Sequence, residues 1–193
     1  MVNADVSDFD SVSRMKDEIG KKLGAVDIVV ANAVIQYEWK LVLNQNLEDY
    51  FSQFKTCNMQ GVHLAKVFVP DMARKKYGRF IGINTECAME CDSHQSAYVS
   101  AKRGMDGFYR VLAKEVGANA ITVNQVAPGW TITEAVRSQG TAHQSEYEKT
   151  IPLKRRGTDQ EIANVVAFIA SDLASFITGA YIPVCGGKVM PAI

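Results

Sequence analysis

The sequence predicts an α/β fold in which a doubly wound parallel sheet carries helices on both faces. Short apolar runs rich in β-branched residues alternate along the 193 residues with longer segments that repeat apolar side chains every three or four positions. The first pattern indicates buried strands and the second amphipathic helices, and their alternation is typical of parallel β-α-β units. Polar or glycine-containing turns follow three of the strands, at Asn32, Thr85 and Pro128–Gly129. Ligands of such sheets bind at the carboxyl ends of the strands, so these turns mark the expected site.

Four apolar runs predict the strands. Each run is short, contains β-branched or aromatic residues and lies next to turn-forming residues. The runs are Val26–Ala31, Arg79–Ile83, Ala120–Ala127 and Thr178–Val184. An earlier segment, Ala4–Asp8, has the composition of a strand end that turns into a helix.

The helices are predicted from amphipathic spacing and from their start signals. Ser7–Asp10 has the spacing of a capping box and opens a helix that reaches Leu23, and Thr158–Glu161 opens the last helix in the same way. A long helical pattern runs from about Leu47 to Lys76, and another follows Tyr98. The segment from Trp130 to about Tyr147 is polar and less regular, which is typical of a segment lying over a site.

Composition excludes several classes of function. Lys plus Arg and Asp plus Glu both number 21, so the net charge of zero indicates no nucleic acid, anionic membrane or acidic partner. The length suits one domain over residues 1–193, and the sequence has neither a bilayer-spanning run nor a signal peptide. A cytoplasmic location is expected. The cysteines match no zinc or haem spacing, so we expect reduced thiols and no metal site at Cys57, Cys87, Cys91 and Cys185.

Tyr98 and Lys102 form the motif from which chemistry can be inferred. They are four positions apart at the start of a helical pattern, so both side chains project from the same side of that helix. Alone, such a pair is more often an ordinary surface pair. A nearby ammonium favours the phenolate and is expected to lower the pKa of Tyr98 from its usual value of about 10. A tyrosine tuned in this way can exchange a proton with a carbonyl or alcohol oxygen.

Residues before and after Tyr98 and Lys102 match the pattern of a known family. Thr85 supplies a hydroxyl thirteen residues before Tyr98, and the strand after the helix ends in Pro128–Gly129. In this combination the chain resembles the short-chain dehydrogenase/reductase family over nearly its whole length, including the 3-oxoacyl thioester reductases. The resemblance implies a Rossmann-like domain and an NAD(P)-dependent oxidoreductase that interconverts a carbonyl and an alcohol.

The resemblance also assigns residue roles. It implies that Tyr98 is the general acid/base and that Lys102 lowers its pKa and holds the nicotinamide ribose. Thr85 stands where the family usually has serine, and Asn58 matches the asparagine of the family's tetrad. The cofactor-binding residues that it implies for NAD or NADP are Asp5, Val6, Asn32, Ala33, Tyr98, Lys102, Pro128, Gly129, Thr131 and Thr133. Asp5 could instead cap the helix that it precedes, and both interpretations stay open.

The chain departs from the family pattern in three places, one of them Cys185, where an acidic residue is common before the final Gly-Gly. The family's Asn-Asn-Ala-Gly stretch reads Ala31–Val34, where valine in place of glycine is expected to crowd the backbone near the cofactor. The chain contains no G-x-G-x-x-G turn for the cofactor pyrophosphate and opens near the end of the family's third strand. We therefore expect a domain that lacks the first β-α-β unit and is incomplete at its N-terminus, with an open apolar edge at Val26–Ala31.

Two functions follow from these observations. The first is an oxidoreductase with a small-molecule carbonyl or alcohol substrate. The second is a non-catalytic remnant or scaffold subunit that has lost the dinucleotide-binding turn, and it is motivated by the missing glycines. The family resemblance implies a homo-oligomer, either a dimer or a tetramer, in both cases.

Overall fold

A computed structural model describes residues 1–138 and 145–190. Its sheet has four parallel strands in the order β1-β2-β3-β4, namely β1 (Ile28–Ala31), β2 (Gly78–Ile83), β3 (Ile121–Pro128) and β4 (Tyr181–Val184). The α-helices are α1 (Phe9–Leu23), α2 (Leu47–Gln53), α3 (Gln60–Lys75), α4 (Cys87–Glu90), α5 (Ser96–Val116), α6 (Glu134–Ser138), α7 (Ser145–Thr150) and α8 (Asp159–Ala170). Short 3-10 turns lie at Val42–Asn44, Gly117–Asn119 and Asp172–Ala174. The four predicted strands are confirmed, with ends shifted by up to three residues.

The helices cover both faces of the sheet, as the sequence predicts. Phe80 pairs with Val29 and Val123 in the neighbouring strands, and this face packs against α1, α3 and α5. Ile81 points to the opposite face, where it packs with α8. Two apolar cores therefore enclose β2 and β3, and the α/β Rossmann-like class is confirmed.

The first strand lies at an edge of the described sheet. β1 pairs with β2 alone among residues 1–138 and 145–190. Val29 and Ala31 are buried, whereas Ile28 and Val30 are 44% and 43% exposed on the face that α8 leaves uncovered. The expected open apolar edge is therefore present in the structure.

Three predictions need correction: the strand end at Ala4–Asp8, the capping box at Ser7–Asp10 and the continuous helix from Leu47 to Lys76. Residues 1–8 form no strand. The N-cap of α1 is Asp8, because the Asp8 carboxylate accepts from the backbone amides of Asp10 and Ser11. Ser7 is instead held by Asp5, whose Oδ1 accepts from the Ser7 amide at 2.8 Å and from its hydroxyl at 2.7 Å. The second capping box, at Thr158 and Glu161, is confirmed with both reciprocal hydrogen bonds.

The third correction concerns the long helix predicted from Leu47 to Lys76. A π-helical turn at Phe54–Met59 separates α2 from α3. Such a turn widens the helix and is frequent at functional sites. It buries Thr56, Cys57 and Asn58 beside α5. In the predicted irregular segment the structure has α6 and the start of α7, and residues 139–144 lie outside the described residues.

Two further findings concern the chain as a whole. All four cysteines are free thiols. Within the described ranges, every helix is too short or too polar to cross a membrane.

Candidate active site

Thr85, Tyr98 and Lys102 lie together where β2 ends and α5 begins, and Asn58 contacts α5 farther along, at Gly104. Thr85 follows β2 by two residues, while Tyr98 and Lys102 lie on the first two turns of α5. The Thr85 hydroxyl lies near the Tyr98 phenol, where it favours the ionised form of the phenol. The Lys102 Nζ atom lies 5.7 Å from the centroid of the Tyr98 ring, on the same side of the helix. The juxtaposition expected from the i, i+4 spacing is therefore present.

The electrostatics of this pair differ from the prediction. Burial raises the pKa of Tyr98, and the nearby Thr85 hydroxyl opposes this effect only in part. The Lys102 side chain is only 3% exposed and its burial lowers the pKa of the amine. Its Nζ donates to the Ile83 carbonyl oxygen at 2.5 Å. The expected lowering of the Tyr98 pKa by Lys102 is wrong for this structure, because desolvation of the phenol dominates.

Asn58 reaches the site from the π-helical turn. Its side chain is buried and lies against α5 at Gly104, where an added Cβ would come within 2.7 Å of the Asn58 Nδ2 atom. Gly104 is two residues beyond Lys102, so the missing side chain at that position lets the two helices approach. The turn thus brings Asn58 to the helix that carries Tyr98 and Lys102.

Asn84 is a site residue that sequence analysis missed. Its Nδ2 donates to the Lys102 carbonyl oxygen at 3.1 Å and to Gln125 Oε1 at 2.7 Å, and its Oδ1 accepts from the Thr85 amide at 2.9 Å. Gln125 in turn donates to Asp106 on α5 at 2.8 Å. One buried amide therefore fixes Thr85 relative to Lys102. Its signal in the sequence is a polar side chain directly after a buried apolar run.

A second missed contact caps α5. The Tyr37 hydroxyl accepts from the Tyr98 backbone amide at 2.9 Å and thereby satisfies one of the unpaired donors at the helix start. The loop after β1 that carries Tyr37 is itself held by two glutamine side chains. Gln53 donates to the Ile35 carbonyl oxygen at 2.8 Å, and Gln60 donates to the Ala33 carbonyl oxygen at 2.7 Å. This loop thus orients the first turn of α5.

Most of the predicted cofactor-binding residues lie at the same edge of the sheet. Asn32 and Ala33 are exposed directly after β1, and Pro128 and Gly129 end and follow β3. Val34 is exposed at 42%, so its side chain is directed to the surface of this edge. These positions share the carboxyl edge with Thr85, as the parallel arrangement requires.

The remaining predicted positions make local contacts. The Thr131 hydroxyl donates to the Gly129 carbonyl oxygen at 2.8 Å, and the Thr133 hydroxyl accepts from the Val136 amide at 3.4 Å. Hydrogen bonds to Ser7 lower the pKa of the exposed Asp5 carboxylate, so Asp5 holds the turn before α1 without capping the helix. Contact of Asp5 or Val6 with adenine stays a prediction.

The donor set at this edge fits the nicotinamide and ribose end of a dinucleotide. The Lys102 amine, the Tyr98 phenol and the threonine hydroxyls can form hydrogen bonds with ribose hydroxyls and a carboxamide. A hydroxyl or amide recognises such neutral groups without requiring a charged partner. The fit concerns that end of the cofactor, and the residues that would hold it there are Tyr98, Lys102, Thr131 and Thr133.

Comparison with known proteins agrees with this geometry. A family model described as Enoyl-(Acyl carrier protein) reductase matches residues 1–188. The chain is 39% identical over 187 residues to the 3-oxoacyl-[acyl-carrier-protein] reductase FabG of Pseudomonas aeruginosa, covering 96% of this chain and 75% of the relative. It is 36% identical over 185 residues to FabG of Escherichia coli, covering 96% of this chain and 75% of the relative. It is 35% identical over 190 residues to MabA of Mycobacterium avium, covering 98% of this chain and 74% of the relative.

The match runs along almost the whole chain, and the structure has the sheet on which the sequence motifs were expected to converge. The resemblance found in the sequence is therefore confirmed. The chain belongs to the short-chain dehydrogenase/reductase family of NAD(P)-dependent oxidoreductases.

Proposed function

We propose that this protein reduces a carbonyl group to an alcohol with NADH or NADPH, and that Tyr98 donates the proton. The observation that carries the proposal is the buried Lys102 amine 5.7 Å from the centroid of the Tyr98 ring, with the Thr85 hydroxyl nearby at the carboxyl end of β2. The substrate class that fits the names of the relatives is a 3-oxoacyl thioester.

The proposed roles follow from the protonation states. Burial raises the pKa of Tyr98, so the phenol keeps its proton at neutral pH and can act as an acid toward a substrate oxygen. The Thr85 hydroxyl is placed to hydrogen-bond the same oxygen and so to orient it. Hydride is supplied by the reduced nicotinamide when it is bound. Lys102 holds the ribose, and its burial next to Tyr98 excludes water from the proton-transfer site.

The assembly and location are also proposals. Phe51 and Phe54 are 69% and 48% exposed on the helices beside α5, which supports a homo-oligomer formed through this surface. Sedimentation equilibrium of the purified chain tests this, and a monomer at micromolar concentration would contradict it. The cytoplasm is the proposed location.

The first experiment is titration of the purified chain with NADH and NADPH separately, followed by nicotinamide fluorescence. Saturable binding of either supports the oxidoreductase. A folded chain that binds neither would favour the alternative, a non-catalytic remnant or scaffold subunit. Turnover is then measured with a panel of ketones and 3-oxoacyl thioesters.

Tyr98→Phe tests the proton donor. Removal of the hydroxyl alone is expected to lower the rate of reduction about a hundredfold or more, because general acid catalysis contributes about 10²–10⁴-fold. The matched control is Tyr77→Phe, since the Tyr77 hydroxyl donates to Asp172 next to the amino end of β2, whereas Thr85 follows the carboxyl end of that strand. Full activity of Tyr98→Phe with an unchanged melting temperature would refute the assignment.

A further inference from the structure

A buried carboxylate lies directly beside the proposed catalytic threonine. Glu86 follows Thr85 and its side chain is buried, with the residue only 3% exposed. The Tyr147 hydroxyl on α7 donates to Glu86 Oε1 at 2.5 Å and accepts from the Trp130 backbone amide at 2.7 Å. A chain of three groups, Glu86, Tyr147 and Trp130, therefore joins the end of β2 to two other parts of the protein.

Tight packing surrounds this chain of contacts. The Glu86 amide donates to the Pro128 carbonyl oxygen at 3.0 Å, which adds a backbone link to the end of β3. A Cβ on Gly129 would lie 2.8 Å from both Glu86 Oε2 and the Tyr147 hydroxyl. The Tyr147 and Trp130 rings meet edge to face with centroids 5.3 Å apart. The absence of a side chain at Gly129 is thus what lets the carboxylate and the phenol meet.

A second polar link runs parallel to the first. Lys188 Nζ contacts Glu90 Oε1 on α4 at 2.6 Å and donates to the Thr150 hydroxyl at the end of α7 at 3.2 Å. The same ammonium lies 5.1 Å from the centroid of the Tyr147 ring. α7 is therefore tied to the segment after β2 at two points, of which the Glu86 contact is the one nearest to Thr85.

The chemistry of Glu86 is not that of a residue retained for packing. A buried carboxyl group carries a desolvation penalty, and replacement of buried ionisable groups by apolar ones is often neutral or stabilising. The Glu86 Oε2 atom is also buried without a hydrogen-bond partner. Since the other oxygen accepts from the Tyr147 hydroxyl, the contact depends on the orientation of α7.

We propose that Glu86 is a positioning residue for the substrate site: through the Tyr147 hydroxyl it sets where α7 and the Trp130 turn lie relative to Thr85. The statement that this site binds a substrate rests on the proposed reductase function, whereas the contact between Glu86 and Tyr147 can be tested without substrate. Loss of the contact lets α7 and the Trp130 turn move away from Thr85. Substrate binding then weakens, and proton transfer by Tyr98 is left intact.

The test uses the full chain and three substitutions. Tyr147→Phe removes the donor, Glu86→Ala removes the acceptor, and Glu86→Gln keeps an acceptor oxygen and is expected to behave like the parent. The control is Glu146→Ala on the same helix, because the Glu146 side chain is 85% exposed and pairs with Lys149 at 2.6 Å. The Trp130 amide donates to the Tyr147 hydroxyl, so its hydrogen exchange, measured without substrate, reports whether that hydroxyl stays in place when Glu86 is changed.

The expected result is up to about tenfold faster exchange of the Trp130 amide in Tyr147→Phe and Glu86→Ala, a change that corresponds to about 1.4 kcal/mol and so to the loss of one neutral hydrogen bond. In turnover assays the same variants are expected to raise KM by about the same factor, with kcat within about twofold. Glu86→Gln and Glu146→Ala are expected to match the parent in both measurements.

Two outcomes overturn the proposal. Unchanged Trp130 exchange in Glu86→Ala would show that the Glu86 contact does not hold the turn, whether or not the protein is a reductase. A loss of kcat without a change in KM would show that the residue acts on the chemical step and not on substrate position. If the parent chain does not reduce any substrate, the proposed function fails, but the exchange measurement still decides the positional role.

Discussion

Substitution of Asn84 by alanine tests whether one buried amide holds the candidate site together. The change leaves two buried groups without a partner, the Thr85 amide and Gln125 Oε1, while the Lys102 carbonyl oxygen loses a second bond and keeps its helical one within α5. Each buried group left unpaired costs about 1–3 kcal/mol, so the lower bound for the loss in the free energy of unfolding is about 2 kcal/mol. For a chain of this size, about 2–4 °C of melting temperature corresponds to 1 kcal/mol. The expected decrease is therefore about 4–8 °C.

Thermal unfolding followed by circular dichroism measures this decrease, and Asn124→Ala is the matched control. Asn124 is equally buried, and its side chain makes two hydrogen bonds, to the Ile177 carbonyl oxygen at 2.7 Å and from the Ala180 amide at 3.1 Å. With two partners lost, the same reasoning gives about 4–8 °C. Asn84→Ala is expected to weaken NAD(P)H binding as well, because Asn84, unlike Asn124, contacts the Lys102 and Thr85 backbones. A decrease below about 2 °C for Asn84→Ala would refute the reasoning.

Two further predictions concern stability. Gly82→Ala places a Cβ 2.6 Å from the Tyr109 ring and in overlap with the Met105 methyl group, so overpacking is expected to lower the free energy of unfolding by about 1–3 kcal/mol. Gly20→Ala on α1 meets no atom within 4 Å and is expected to raise the free energy of unfolding by about 0.5–1 kcal/mol. Urea unfolding of both variants checks the opposite signs. Arg155 and the Thr158 amide hold the pKa of Glu161 at about 2, below its ordinary value of 4.5, so the stabilisation by this carboxylate is present above pH 4.5 and is lost as the pH falls toward 2. Melting temperatures of the parent and Glu161→Gln should therefore converge over that range, and a constant difference would contradict the assignment.

The sequence was sufficient to predict the sheet and the meeting of Thr85, Tyr98 and Lys102. Strand and helix periods are local properties, and the parallel arrangement then brings all carboxyl ends to one edge. The π-helical turn before Asn58 was missed because its apolar spacing differs little from that of a continuous helix. The Glu86–Tyr147 contact joins residues 61 positions apart, and no local pattern indicates which distant hydroxyl a buried carboxylate meets.

The sign of the Tyr98 shift was predicted wrongly for a related reason. Spacing predicts which charges are neighbours but not how much water surrounds them, and burial here outweighs the nearby amine. Burial raises the pKa of the Tyr98 phenol and lowers the pKa of the Lys102 amine, so it favours the neutral form of both groups.

The neutral form of Tyr98 matters for the proton-transfer step of the proposed reaction. A neutral phenol is a ready acid, and the alkoxide formed when a carbonyl accepts hydride is a much stronger base than a phenolate, so transfer of the Tyr98 proton to it is downhill. Oxidation of an alcohol needs the phenolate as a base, and burial makes that form expensive. The Thr85 hydroxyl offsets this cost only in part, since the pKa of Tyr98 is raised in its presence. The protonated phenol is therefore the form of Tyr98 that the proposed reduction uses in its proton-transfer step.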